Sequence, residues 1–244
     1  MEHPRVVIGE KAAETRAIQL LSIALEQAAS WTSEHVTQPQ RSYVVPPLMQ
    51  SASQATSLAT IYGPETPLEI IALSARNMFE TFIRLKYILL SDANCQQWRN
   101  EAVTDQLQIY EGIISIGGQP GAEKTLRKEM ARVRKHAESK RLSPEEKILS
   151  ARKLARETGL EDEYVAFYKL YSKLVHPSSF TVNWPKAAAT PIFRTALILN
   201  LQVYGQLILD ELQRVFGLPV DTILGEAHRI YGQALNRNST RPNN

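Results

Sequence analysis

The stretch ETPLEIIALSARNMFETFIRLKYILL, residues 65–90, decides the fold class. At about 100° per residue, its apolar side chains go nearly all the way round a helix: Ile71, Leu73, Met78, Phe79, Phe82, Ile83, Leu85, Ile88 and Leu89. A helix that is apolar on every side belongs at the centre of a bundle. Two charges interrupt it. Arg76 and Glu80 stand four apart, on a stripe shared with Leu73, Ile83 and Tyr87. A charge in such surroundings must be paired. One reading is a structural Arg76–Glu80 pair that fixes how helices pack. The other is a polar pocket in which Arg76 binds an anion or orients a catalytic neighbour.

Outward from this helix the periodicity stays helical. The spacing predicts helices over residues 10–33, 46–62, 65–90, 92–116, 123–141, 143–157, 161–176, 191–216 and 220–235. Ser143-Pro144-Glu145-Glu146 has the form of a helix start, with a serine cap, a proline in the first turn and early acids. Gly117-Gly118-Gln119-Pro120-Gly121 is the clearest break, and 177–189 reads as a loop. VTQPQRSYVVPP carries a short valine run, but its three prolines argue against a strand. The expectation is an all-α bundle of about nine helices. It forms one domain over residues 1–236, with a flexible tail at 237–244.

Net charge is +3, but it is uneven. Residues 119–158 hold twelve Lys/Arg against six Asp/Glu, giving +6 there and −3 elsewhere. This segment is expected to form a protruding basic helical hairpin, an insertion in the bundle. Such a surface attracts phosphate backbones, or simply keeps a solvated hairpin soluble. The start of the chain lacks a signal-peptide pattern. The apolar run near residues 190–212 is broken by Arg194, Asn200, Gln202 and Gln206, where a bilayer span wants roughly 20 nearly unbroken apolar residues. No membrane association is expected, and the location follows as cytoplasmic. The single cysteine, Cys95, rules out an internal disulfide. His3, His35, His136 and His228 show no metal-ligand spacing, and no glycine-rich phosphate loop occurs, so no metal or cofactor is expected.

The sharpest chemistry lies in YKLYSKLVHPSSF, residues 168–180. Tyr164, Phe167, Tyr168, Tyr171, Leu174 and Val175 share one broad helical face, most simply core. Lys169, Ser172, Lys173 and His176 share the opposite face. Pro177 pushes His176 out of helical conformation, so its imidazole stands at the final turn. A histidine there either transfers protons near neutral pH or bonds the last carbonyls of its helix.

The A-R-N-M-F-E-T pattern at 75–81, followed about a hundred residues on by Y-K-L-Y-S-K-L-V-H-P-S at 168–178, resembles a poorly characterised family of bacterial all-helical proteins. More distantly it resembles the HEPN superfamily, over roughly residues 68–209. That resemblance implies a dimeric, metal-independent endoribonuclease of a toxin–antitoxin or phage-defence kind, with RNA or another phosphate-bearing ligand as partner. In that family four to six residues separate an arginine from a following histidine. Here only the histidine carries over, as His176, with Lys169 in the arginine's place at best and Lys173 too close. His176 and Arg76 are then the expected catalytic residues, and Lys169, Lys173, Ser172 and Glu80 the binding residues. Two other readings stand beside this one. The first is a non-catalytic binding or dimerisation module in which the same residues only fix packing. The second is a small-molecule pocket lined by Tyr87, Tyr168 and Trp184.

Overall fold

In a computed structural model, residues 6–117, 120–144 and 146–239 are described. The described residues form helices and connections, with no strand. The helices are α1 (Lys11–His35), α2 (Arg41–Ala59), α3 (Leu68–Leu90), α4 (Asp92–Ser115), α5 (Pro120–Ser139), α6 (Ala151–Glu157), α7 (Glu161–Val175), α8 (Ser179–Asn183), α9 (Pro185–Ala188), α10 (Pro191–Phe216) and α11 (Val220–Ser239). The two shortest, α8 and α9, fall in the segment expected to be a loop. The other nine correspond to the nine expected helices.

As its all-round apolar surface requires, α3 is the axis of the bundle. It packs against α2, α10, α7, α4 and α6, and Ile71, Met78, Phe79, Ile83, Leu85 and Ile88 are buried within one continuous core. The antiparallel pair α1–α2 closes one side. Ala24, Ala28, Ala52 and Ala59 keep this interface thin. Across it, the Ser22 hydroxyl donates to the Ser53 carbonyl (3.1 Å) and the Ser53 hydroxyl donates to the Ser22 carbonyl (3.0 Å), so each buried hydroxyl has a partner.

Helix α10 shows why its apolar run belongs to a bundle. By length and composition, Pro185–Phe216 is the one segment among the described residues that could cross a membrane, and half of its most apolar window is buried in protein. Each polar interruption meets an internal partner. Arg194 pairs with buried Glu14 at 3.3 Å, and Asn200 donates to the Tyr171 hydroxyl at 3.1 Å. Gln202 accepts from the Val7 amide and donates to the Val7 carbonyl, and Gln206 donates to Asp210. At Gly205 a Cβ would lie 2.5 Å from Leu21 Cδ2, so glycine allows α10 to approach α1. Gly217, at φ 75°, ends the helix in the left-handed conformation, its amide donating to the Gln213 carbonyl.

Several parts of the sequence reading differ from the structure. Helix α2 begins at Arg41, five residues early, and carries Pro46 and Pro47 inside it. Burial of Val44, Val45, Leu48 and Met49 offsets the two missing amide donors. Ser143, Pro144 and Glu146 lie in no helix, and Glu145 is outside the described residues. The helix starts instead at Ala151, where the Ser150 hydroxyl accepts from the Lys153 amide at 3.3 Å. Buried Leu149, Leu154 and Ala155 anchor that stretch to the main core. The protruding hairpin carries basic α5, but its second arm is α4. Val103 and Leu107 of α4 meet Met130 and Ala137 of α5 in a small separate core. Of the glycine-rich break, Gly118 and Gln119 lie outside the described residues. Of the tail expected at 237–244, residues 237–239 continue α11, and 240–244 lie outside.

Candidate functional site on the outer face of α7

Gly159, at φ 73°, closes α6, and the Leu160 amide returns to the Ala155 carbonyl at 2.7 Å. The chain then enters α7 through Glu161, Asp162 and Glu163, acids that suit the positive end of a helix. Hydrogen bonds from Arg156 (2.8 Å), with a second contribution from Arg152 (3.2 Å), hold the exposed Glu161 carboxyl down to about 2.

The inner face of α7 packs on α3 and α10 through rings. Phe79 lies 6.1 Å from Phe167, 6.3 Å from Tyr171 and 4.7 Å from Tyr204. Burial pushes the Tyr171 hydroxyl far above its ordinary range and the Tyr204 hydroxyl up to about 12. Both stay neutral and serve as packing groups.

Arg76 and Glu80 come together as their spacing implied. The Arg76 Nε donates to Glu80 Oε1 at 2.8 Å, with side-chain exposures of 26% and 24%. The guanidinium stands over the Tyr168 ring at 5.3 Å, and that ring stacks on Tyr164 at 4.8 Å. Burial works against the Arg76 charge, but the hydrogen bond and charge of Glu80 outweigh it and hold the guanidinium above its ordinary range. This half-buried group stitches α3 to α7.

The outer face is different. Lys169, Lys173 and His176 are exposed and Ser172 is half-buried. Among the described residues neither lysine has an ion pair, and the His176 ring has no hydrogen bond. His176 ends α7 in extended conformation (φ −107°, ψ 152°), as Pro177 demands. The next turn is fastened back onto α7. The Ser178 hydroxyl donates to the Lys173 carbonyl at 2.9 Å and accepts from the Thr181 amide at 3.2 Å, capping α8. The imidazole therefore stands on a fixed elbow, with Lys173 and Lys169 one and two turns back along the same face. Tyr168, and with it Arg76, lies about 12 Å back along the helix axis, so Arg76 makes no contact with His176.

The rings proposed for a small-molecule pocket do not meet. Tyr87 is buried, and its hydroxyl donates to Gln97 at 2.7 Å. It stands about 16 Å along α3 from Arg76, while Trp184 is exposed. Among the described residues no group of three or more His, Cys, Asp or Glu is placed to hold a metal.

One polar cluster was not anticipated. Arg84, one turn beyond Glu80, lies over the Trp98 ring at 4.1 Å, and its Nη1 is buried without a hydrogen bond. Nearby Glu101 is buried on α4 and accepts from the Leu149 amide at 3.2 Å. Burial pushes its carboxyl above the usual range, although the Leu149 amide and Arg84 pull the other way. The i, i+4, i+8 ladder Arg76–Glu80–Arg84 was the available signal. Its partners come from α4 and the segment before α6, which periodicity does not pair with α3.

No curated protein and no solved structure matches the chain. Residues 69–183, running from the start of α3 to the end of α8 and just under half of the chain, are similar to a family of unknown function (DUF5677).

Proposed function

We propose that the protein acts on RNA, with the outer face of α7 holding phosphate and His176 transferring protons in metal-independent cleavage. The observation that carries this is the His176 imidazole itself: exposed, free of hydrogen bonds among the described residues, and aligned with Lys173 and Lys169. The resemblance of residues 68–209 to the HEPN superfamily supports the same reading. In the reaction, His176 accepts the proton of a ribose 2′-hydroxyl. The 2′-oxygen attacks the adjacent phosphorus, the bond to the 5′-oxygen breaks, that oxygen takes a proton from water as it leaves, and the imidazolium returns its proton to solvent. Lys169 and Lys173 offset charge on the phosphate, and Ser172 lies between them as a hydrogen-bonding group. Arg76 and Glu80 are positioning residues for α7 in this reading, since their charges are spent on each other.

The closed Arg76–Glu80–Tyr168 arrangement also favours a second reading, a non-catalytic binding or dimerisation module. One experiment parts the two. Wild type and His176→Ala are incubated with RNA in the presence of a chelator. The proposal expects cleavage by wild type and its loss in the variant. No cleavage by either favours the module, and equal cleavage by both assigns the activity to contamination or to another site.

A further inference from the structure

We propose that the outer face of α5 is a docking surface for the phosphate backbone of a nucleic-acid duplex, independent of base sequence. This rests on the reading of the chain as a nucleic-acid-acting protein and names a second contact, remote in sequence from α7. Helix α5 buries one side, through Met130 and Ala137, against Val103 and Leu107 of α4. On a helical wheel Lys124, Lys128 and Lys135 fall within an arc of about 40°, nearly opposite that buried side. All three are exposed, and among the described residues none has an ion pair. The flanking Arg127, Arg132 and Arg134 are also exposed, each beside one acid: Glu123, Glu129 and Glu111. The outer face of the α4–α5 hairpin thus carries a lysine row without ion pairs among the described residues, with exposed Glu138 one turn beyond Lys135.

Geometry and composition choose the partner. From Lys124 to Lys135 the row runs about 16 Å. A duplex strand advances about 3.4 Å per phosphate, so the row faces about five phosphates of one strand. Lysines are flexible point charges, suited to backbone contact rather than planar recognition. Helix α5 carries no Phe, Tyr or Trp, and so offers no platform on which single-stranded bases could stack. That absence favours a duplex over a single strand.

The test uses the full chain, a fluorescent RNA duplex of about 20 base pairs, the DNA duplex of the same sequence, and chelator throughout. Binding is read by anisotropy across a salt series for wild type, K124E/K128E/K135E and K124R/K128R/K135R. The triple glutamate variant should bind at least tenfold more weakly at low salt. Its plot of log affinity against log salt should be shallower by about 2.7, the value for three lost phosphate contacts. The triple arginine variant should bind as wild type does. All three lysines are exposed, so circular dichroism should be unchanged. Binding of both duplexes assigns the surface to phosphate in general, and binding of the RNA duplex alone assigns it to RNA. Unchanged affinity and slope in the glutamate variant overturn the proposal, as does failure of wild type to bind either duplex at low salt. If wild type cleaves no RNA while the glutamate variant loses binding, the ribonuclease reading falls and this surface stands.

Discussion

Replacing Arg76 by alanine separates packing from chemistry. The wild-type group makes a charge-assisted hydrogen bond to Glu80 at 2.8 Å and covers the Tyr168 ring at 5.3 Å. With about a quarter of each side chain exposed, solvent screens the pair, and the arginine-first order at i, i+4 is the weaker one. The pair then contributes about 0.5 kcal/mol, and the cation–π contact about 0.5–1 kcal/mol. Lost packing of the aliphatic stem brings the expected total to about 1–2 kcal/mol. For a chain of this size that is a fall in Tm of about 2–8 °C. Urea unfolding of Arg76→Ala, Glu80→Ala and the double variant should give a coupling energy of about 0.5 kcal/mol. RNA cleavage by folded Arg76→Ala should stay within a fewfold of wild type. A variant as stable as wild type but devoid of cleavage would refute this reasoning and make Arg76 a catalytic group.

Other expectations follow from the same geometry. Arg194→Ala strands the buried Glu14 carboxylate and should cost about 3–5 kcal/mol in chemical denaturation, much of it recovered in Glu14→Gln/Arg194→Met. The Glu161 carboxyl is depressed in the folded chain, so its contribution to stability is present above its ordinary pKa of 4.5 and fades as pH falls toward about 2. The stability difference between wild type and Glu161→Gln should therefore be constant near neutrality and vanish in strong acid, read by urea midpoints across pH. Burial pushes the Cys95 thiol up, and its sulfur donates to the Ile88 carbonyl at 3.1 Å. A thiol reagent should label Cys95 far more slowly in the native chain than in urea.

The fold was legible where one segment carries its own answer. The ring of apolar residues on α3 admits no place but the centre, and Pro177 sets the backbone of His176 without help from elsewhere. Local signals failed where tertiary packing outweighed them. Pro46 and Pro47 read as the start of a helix, yet the buried valines before them extend it back to Arg41. Ser143-Pro144 has the chemistry of a cap, but Leu149 must reach the core first, and Ser150 caps instead. Charge grouped the basic segment with 143–157, whereas the apolar stripes of α4 and α5 decide which helices pair. At the site, the Arg76–Glu80 pair and the exposed row on α7 were legible from spacing alone. The Tyr168 ring under Arg76 and the Arg84–Trp98–Glu101 cluster join residues from different helices, and no periodicity encodes which rings and charges will meet.

The most direct measurement is the chemistry of the products. RNA cut by the wild-type chain in chelator should end in a 2′,3′-cyclic phosphate on one fragment and a 5′-hydroxyl on the other, seen by mass spectrometry. The same oligonucleotide with 2′-deoxyribose at the cut position should survive, and His176→Ala should leave both intact. Cleavage of the deoxy-substituted strand, or full activity without the imidazole, would contradict the assignment of His176 as the group that moves the proton.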